Sequence, residues 1–255
     1  MMTNQAFDLS GKRALITGGS RGIGLAIAAA LAQAGAAVVL NARDGAALEQ
    51  AAAGLRAAGH DVASQAFDVM DPASVERGVA AIEADGAIDI LINNAGMQHR
   101  MAAEDFAEAD FDRLMAINVK GAFFVAQAVG RRMIARRRGK IINIASVQSE
   151  LGRASITPYA MSKGAVRQLT RGLCAEWARH NIQVNAIAPG YFRTELTSAL
   201  VADPAFTAWL VARTPAGRWG EVAELGGTAV FLASAAADFV NGQTIFVDGG
   251  LTSVV

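Results

Sequence analysis

A tyrosine and a lysine stand four residues apart in the segment "TPYAMSK", residues 157–163. Pro158 suits the first turn of a helix, so Tyr159 and Lys163 are predicted to share one helix face. An ammonium in that position stabilises a tyrosinate and lowers the phenol pKa, which is ordinarily about 10. Such a phenol exchanges a proton with a substrate oxygen near neutral pH. Ser146 ends the run "KIINIAS", and its hydroxyl is predicted to hydrogen-bond the reacting oxygen.

A glycine-rich turn, "ITGGSRGIG", occupies residues 16–24 and contains Gly18, Gly22 and Gly24. Glycines between a strand and a helix let the backbone approach a pyrophosphate at the helix N-terminus. The spacing G-x-x-x-G-x-G differs from the G-x-G-x-x-G of longer dinucleotide-binding proteins, and a simple strand-to-helix joint is the alternative. We interpret the turn as a dinucleotide site.

The residues after the second predicted strand indicate which dinucleotide is bound. A protein that recognises a free ribose 2′-hydroxyl usually has an acidic residue there, whereas this chain reads "VVLNARD" and has Arg43. Together with Arg21, this side chain could hold a 2′-phosphate by charge-assisted hydrogen bonds. The pattern favours NADP(H) over NAD(H), although Asp44 could still reach a ribose hydroxyl.

Short β-branched runs alternate with alanine-rich helical stretches along the chain, which predicts an α/β fold. The fold is expected to be a single Rossmann-like, doubly wound parallel sheet with helices on both faces, forming one domain over residues 1–255. Strands are predicted at 13–17, 37–41, 62–67, 88–93, 140–144, 183–188 and 244–247. Helices are predicted at 22–34, 72–84, about 109–138, 158–179 and 222–233. Residues 191–220, rich in Pro and Trp, are predicted to form a small helical lid over the ligand.

The composition argues against several classes of function. Lys and Arg number 23 and Asp and Glu number 23, so no net charge attracts nucleic acid. The run "RRMIARRRGK" is interpreted as a helix C-terminus, where cations complement exposed carbonyls. The longest apolar run, residues 25–40, is too short for a membrane span. Three separated histidines and the single Cys174 provide no metal site or internal disulfide, which favours the cytoplasm.

The motifs occur together in one order: "TGGSRGIG", "NNAG" at 93–96, "AINV" at 116–119, Ser146, "YAMSK" and "PG" at 189–190. Over almost its whole length the chain resembles the short-chain dehydrogenase/reductase family. The resemblance implies a catalytic tetrad of Asn118, Ser146, Tyr159 and Lys163, with the tyrosine as acid and base. It also implies that the asparagine holds a helix irregularity and a water that relays protons.

The same resemblance implies NADP(H) as cofactor and a homotetramer joined by the long helices and the C-terminal strand. It places the "NNAG" segment beside the adenosine, Asp68 beside the adenine, and the loop at residue 189 with Thr194 beside the nicotinamide. The cofactor residues expected on these grounds are Gly18, Ser20, Arg21, Gly22, Ile23, Gly24, Arg43, Asp68, Val69, Asn94, Ala95, Gly96, Tyr159, Lys163, Pro189, Gly190 and Thr194.

The segment "VQSELGR", residues 147–153, is more polar than a pocket for a fatty acyl chain would need. Together with "NNAGMQHR" and "RTPAGRWG", it resembles the branch of the family that acts on sugar acids, which implies interconversion of D-gluconate and 5-keto-D-gluconate. A sugar acid needs a cation for its carboxylate and polar partners for its hydroxyls. The expected substrate-binding residues are Arg100, Ser146, Gln148, Glu150, Arg153 and Tyr159, with Ser149 as a further polar candidate.

Three alternatives stay open at this point. Arg153 is the reserve candidate for the carboxylate. Members of this branch carry two arginines where this chain has His99 and Arg100, so a carboxylate held by the first of them would imply a different substrate preference here. The substrate could instead be a 3-oxoacyl thioester or another polyol or ketone. The fold could also serve a regulator that senses the cofactor without turnover, although the complete tetrad argues against this function.

Overall fold

Seven parallel strands form the central sheet of the computed structural model, which describes residues 5–255. The order across the sheet is β3-β2-β1-β4-β5-β6-β9, so the chain starts in the middle and winds outward in both directions. The strands are β1 (Arg13–Thr17), β2 (Ala37–Asn41), β3 (Val62–Ser64), β4 (Ile90–Asn93), β5 (Gly139–Ile144), β6 (Ile182–Pro189) and β9 (Thr244–Val247). The predicted doubly wound sheet is confirmed.

Helices cover both faces of this sheet and enclose two apolar layers. One layer packs under α1, α2 and α9, and the other packs under α3, α5 and α6. The helices around the sheet are α1 (Gly22–Gln33), α2 (Gly45–Ala57), α3 (Pro72–Asp85), α4 (Glu108–Met115), α5 (Ala122–Arg136), α6 (Thr157–Trp177) and α9 (Gly226–Ala233). Burial on both faces explains why the strands read as nearly continuous apolar runs in the sequence.

Two local predictions need correction. Helix α2 was not predicted, although Asp44 caps it by accepting hydrogen bonds from the backbone N–H groups of Ala46 and Ala47. The long helix predicted at about 109–138 is interrupted between α4 and α5 by a π-helical segment, Ala116–Gly121, which contains Asn118 and is the helix irregularity that the family resemblance implied. A single π-helical turn inside a helix is often found at a functional site.

Residues 191–220 form short elements above the carboxyl ends of the strands, in agreement with the predicted helical segment. They comprise β7 (Phe192–Arg193), α7 (Ser198–Val201) and α8 (Pro204–Arg213), and the adjoining β8 (Gly220–Glu221) pairs with β7. Four aromatic rings hold the segment together, with neighbouring centroids 5.2–6.3 Å apart; they belong to Tyr191, Phe206, Trp209 and Trp219. Within residues 5–255, no helix is long and apolar enough to cross a membrane.

Candidate active site

A cleft of about 1490 Å³ opens along the carboxyl edge of the sheet, between the strand ends and the 191–220 segment. Ligands of doubly wound folds bind at this edge, where the strand order reverses. Every residue predicted to bind the cofactor lines the cleft, so the fold brings together Gly18, Ser20, Arg21, Gly22, Ile23, Gly24, Arg43, Asp68, Val69, Asn94, Ala95, Gly96, Tyr159, Lys163, Pro189, Gly190 and Thr194.

The glycine-rich turn packs tightly against itself and against the loop after β4, which only glycines allow at two of its positions. Gly18 has a φ of +63°, a conformation that side chains disfavour. A Cβ atom on Gly24 would lie 2.3 Å from the carbonyl oxygen of Gly18, so helix α1 could not start where it does. The side-chain amide of Asn94 donates to the carbonyls of Thr17 and Gly18, at 2.9 and 3.0 Å. These contacts hold the turn and the N-terminus of α1 in a shape that fits a pyrophosphate.

At the β2 end of the cleft, the acidic alternative for the ribose is already engaged. Asp44 Oδ1 accepts from two backbone N–H groups of α2 at 3.0 and 3.1 Å. Arg43 lines the cleft and has no carboxylate within 4 Å among residues 5–255, whereas Arg21 pairs with Glu195 at 2.8 Å. Arg43 is thus a cation without an acidic partner, whereas one carboxylate oxygen of Asp44 is occupied by the cap of α2. This arrangement favours a 2′-phosphate over a 2′-hydroxyl.

Lys163 and Tyr159 face each other at the base of the cleft. The Lys163 Nζ lies 5.7 Å from the centre of the Tyr159 ring and donates to the carbonyl oxygen of Ile144 at 2.8 Å. Burial lowers the pKa of Lys163 from 10.5 to about 8, because its charged form is poorly solvated there. The predicted placement of the pair on one face of α6 is therefore confirmed.

The expected lowering of the Tyr159 pKa is not what the surroundings produce. Burial is the largest influence and raises the pKa of Tyr159 above 10.0, since it disfavours the phenolate. A hydrogen bond with Ser146 and the positive charge of Arg100 oppose this rise, and the nearby Tyr191 adds to it. The Tyr159 phenol is therefore protonated near neutral pH and can donate this proton.

Ser146 follows β5 as predicted and lies in the cleft beside Tyr159. Its Oγ accepts from the backbone N–H of Gln148 at 3.2 Å and caps the short 3-10 turn Val147–Ser149. This bond fixes the serine rotamer, so the hydroxyl is held near the phenol.

Asn118 lies behind the cleft and does not line it. Its Oδ1 accepts from the backbone N–H of Met97 at 2.8 Å, and its Nδ2 donates to the Met97 carbonyl at 2.9 Å and to Ser162 Oγ at 3.0 Å. Ser162 in turn donates to the carbonyl oxygen of Tyr159 at 2.7 Å. The asparagine thus holds the π-helical segment against the loop after β4 and connects it to the backbone of Tyr159.

Two arginines mark the opposite end of the cleft from Arg43. Arg100 and Arg153 both line it, and neither has a carboxylate within 4 Å among the residues described. The Nε of Arg100 is buried without a hydrogen-bond partner, and so is the Oε1 of Gln148 nearby. Burial and the charge of Arg153 lower the pKa of Arg100. A buried unpaired donor and a buried unpaired acceptor beside a second cation fit an anionic, hydroxylated ligand.

Two of the polar candidates do not reach the cleft, and Glu150 is one of them. Its carboxylate forms an ion pair with Arg167 of α6 outside the cleft wall. Ser149 also stays outside the cleft, because its hydroxyl donates to the carbonyl of Ser146 at 2.6 Å. His99 turns toward Asp110, at 3.7 Å, and packs edge-on against Phe106. Arg100 is therefore the member of the His99–Arg100 pair that faces the substrate end.

Sequence reasoning missed Tyr191, which lines the cleft close to Tyr159, Arg100 and Arg153. It directly follows Pro189 and Gly190, and residues after a loop at the carboxyl edge of a sheet are candidates for ligand contact. That position was the available signal.

The chain is similar to a family model and to named proteins from two bacteria. Residues 18–252 match a family model described as "Enoyl-(Acyl carrier protein) reductase". Gluconate 5-dehydrogenase of Gluconobacter oxydans is 58% identical over 247 residues, covering 96% of each chain. The 5-keto-D-gluconate 5-reductase of Escherichia coli K12 is 52% identical, covering 99% of this chain and 100% of that protein.

Solved structures agree with this likeness. A gluconate 5-dehydrogenase from Burkholderia cenocepacia J2315, crystallised in complex with NADP and tartrate, superposes with a TM-score of 0.96. The two chains are 58% identical, and the match covers 98% of this chain and 99% of that one.

Proposed function

The chain belongs to the short-chain dehydrogenase/reductase family, and from this membership we propose an NADP(H)-dependent interconversion of D-gluconate and 5-keto-D-gluconate. The observation that carries the substrate assignment is the pair Arg100 and Arg153, two guanidiniums without acidic partners at the substrate end of the cleft. A carboxylate is the anion that a planar guanidinium binds best by paired hydrogen bonds. An acyl thioester would leave both cations unpaired at this point.

NADP(H) is the cofactor that the cleft residues fit. The glycine-rich turn and the N-terminus of α1 would hold the pyrophosphate, and Arg43 would hold the 2′-phosphate. Asp68 and Val69 would border the adenine, Asn94 to Gly96 the adenosine side, and Pro189, Gly190 and Thr194 the nicotinamide. When bound, the cofactor supplies or accepts the hydride at the substrate carbon, and the protein supplies binding, orientation and proton transfer.

Tyr159 is the acid in ketone reduction and the base in alcohol oxidation. Its pKa above 10.0 keeps the phenol protonated, so it can give a proton to the oxygen that forms when the ketone is reduced. Ser146 hydrogen-bonds the same oxygen and keeps it within reach of the phenol. Lys163 holds positive charge beside the phenol and would bind the ribose of the cofactor.

The remaining tetrad residue, Asn118, would hold the proton-relay water that the family resemblance implies, and it also positions other residues of the site. Its side chain is fully engaged by the Met97 backbone and Ser162, so it orients the loop after β4 and the helix that carries Tyr159. Gln148 would bind a substrate hydroxyl through its unpaired Oε1, and Arg100 would be the main carboxylate ligand. Residues 191–220 would close over the substrate as a lid.

A substrate panel tests this assignment. With NADPH, the highest kcat/KM is expected for 5-keto-D-gluconate, with lower values for neutral ketoses and for a 3-oxoacyl thioester. A higher kcat/KM for the thioester would reassign the enzyme to fatty-acyl reduction. Tight NADPH binding without turnover of any carbonyl compound would favour a cofactor-sensing regulator.

We also propose a homotetramer and a cytoplasmic location. An apolar surface on α4 to α6, formed by Met115, Val119, Phe123 and Leu169, supports association through the long helices. The reduced state expected of the single Cys174 and the use of NADPH support the location. Light scattering of the purified enzyme should give four times the 26.4 kDa mass of one chain, and a monomer would reject the association.

A further inference from the structure

Arg153 connects the substrate end of the cleft to the lid segment, residues 191–220. It lies in the loop before α6, and its guanidinium carbon stands 4.6 Å from the centre of the Phe206 ring on α8. Its Nη1 donates to the hydroxyl oxygen of Tyr191 at 3.4 Å. A guanidinium stacked on an aromatic face is held by both electrostatic attraction and planar contact. One side chain from the body of the protein therefore touches two residues of the lid segment.

Those two residues are not isolated. Phe206 lies 5.6 Å from Tyr191 and 5.2 Å from Trp209, and Tyr191 lies 5.9 Å from Trp219, measured between ring centres. Packed aromatic rings move as a unit because a shift of one ring displaces its neighbours. A change in the position of Arg153 is therefore transmitted to α8 and to both tryptophans of the segment.

The charges around Arg153 leave its guanidinium available to an anion. It has no carboxylate within 4 Å in the part of the chain that the structure describes. Its charge lowers the pKa of Arg100, so the two guanidiniums repel each other across the cleft. A carboxylate between them would replace this repulsion with two attractive contacts. A neutral polyol has no carboxylate, so it would leave the repulsion between the two guanidiniums in place.

We propose that Arg153 is a specificity-determining residue that couples binding of the substrate carboxylate to the seating of the lid segment, through Phe206 and Tyr191. The inference rests on the proposed function for the identity of the anion. Arg100 binds the carboxylate from the body of the protein, and Arg153 binds it while stacked on α8. A substrate with a carboxylate thus stabilises the lid segment in its position over the cleft, and a neutral substrate does not.

Tryptophan fluorescence tests the coupling without turnover. NADPH and D-gluconate form a non-reacting pair, because neither partner can accept a hydride. Trp209 and Trp219 should report the seating of the segment, with Trp177 on α6 as constant background. Saturable change is expected when D-gluconate is added to the NADPH complex, and little change when neutral D-glucitol is added at the same concentration.

Substitutions of Arg153 and Phe206 then test whether the coupling depends on these two residues. Arg153→Ala should weaken the gluconate response at least about tenfold, as expected for loss of a charge-assisted contact. Arg153→Lys keeps the charge but lacks the planar group, so it should restore gluconate affinity only in part and leave the fluorescence change small. Phe206→Leu should cost about two- to fivefold in gluconate affinity, the value of an exposed cation–π contact.

The double variant Arg153→Ala/Phe206→Leu decides whether the two residues act together. No further loss beyond Arg153→Ala is expected, because the stack is already gone. Val211→Ala, at an exposed position on the same helix α8, is the matched control and should leave the response and the Tm unchanged.

Losses that multiply in the double variant would overturn the coupling, and so would an equal response to gluconate and glucitol. Failure of the wild type to respond to gluconate would also overturn it. A normal gluconate response without turnover of 5-keto-D-gluconate would leave the coupling in place and reject only the proposed function.

Discussion

The most demanding prediction concerns the cost of burying Lys163. Its pKa is lowered from 10.5 to about 8 by burial, a difference that corresponds to roughly 3.5 kcal/mol at about 1.4 kcal/mol per unit. This lysine therefore destabilises the free enzyme at neutral pH, where the folded protein must hold the charge in poor solvent. Lys163→Met, which replaces the charge with an apolar chain of similar length, should abolish most activity and yet stabilise the fold.

The hydrogen bond from Lys163 to the carbonyl of Ile144 reduces the gain, because the variant leaves that carbonyl without its partner. Loss of a hydrogen bond to a charged donor costs about 1.5 kcal/mol, so the net increase in the free energy of unfolding should be about 2 kcal/mol at pH 7. For a chain of this length that corresponds to a rise in Tm of roughly 4 to 8 °C.

The pH dependence of the free energy of unfolding tests independently whether buried Lys163 destabilises the fold. Because the folded pKa lies below the unfolded value, the penalty in the wild type is fully present below pH 8. It decreases as the pH rises from about 8 toward 10.5, where the unfolded chain also loses the proton. The stability advantage of Lys163→Met should therefore shrink above pH 8.

Thermal unfolding of cofactor-free enzyme between pH 7 and 9.5 measures this difference, with the exposed Lys12→Met as the matched control. The control should follow the wild type at every pH. A Lys163→Met variant that is less stable than the wild type at pH 7, or an advantage that grows with pH, would refute the reasoning.

Three further substitutions test the catalytic and binding assignments. Tyr159→Phe should abolish turnover and leave the Kd for NADPH nearly unchanged, since it removes the proton and little packing; turnover within about tenfold of wild type would reject the role. Arg43→Ala should weaken NADPH by about ten- to a hundredfold and NADH far less, measured by fluorescence titration, because only NADPH has the 2′-phosphate; equal losses would mean a structural role. Arg100→Ala should raise KM for gluconate strongly and affect a neutral polyol much less, whereas parallel losses in kcat/KM would exclude it as the carboxylate ligand.

The sheet could be predicted from the sequence because strands buried on both faces leave continuous apolar runs. The bounds of β1, β2 and β9 agree with the predicted ranges. Helix α2 was missed although its sequence carries the signal, because its Ala, Leu, Glu and Gln residues favour a helix and Asp44 provides an N-cap. The π-helical segment depends on a contact between Asn118 and Met97, 21 residues apart, which no local pattern contains.

The residues of the candidate site also divide into those that the sequence predicts and those that it does not. The glycine turn and Arg43 were predictable from local signals and the other cofactor residues from the family resemblance, and all of them line the cleft. Substrate residues depend on where long side chains point, so Glu150 was expected in the cleft but pairs with Arg167. The raised pKa of Tyr159 was also unexpected, because burial outweighs the nearby charges only in the assembled site.

Oxidation of NADPH by 5-keto-D-gluconate, followed by identification of the product, measures the proposed reaction itself. The account predicts one D-gluconate formed per NADPH consumed by the wild type, and none by the Tyr159→Phe variant under the same conditions. The claim would be contradicted if NADPH stayed reduced with 5-keto-D-gluconate while the same preparation oxidised it with a different carbonyl substrate.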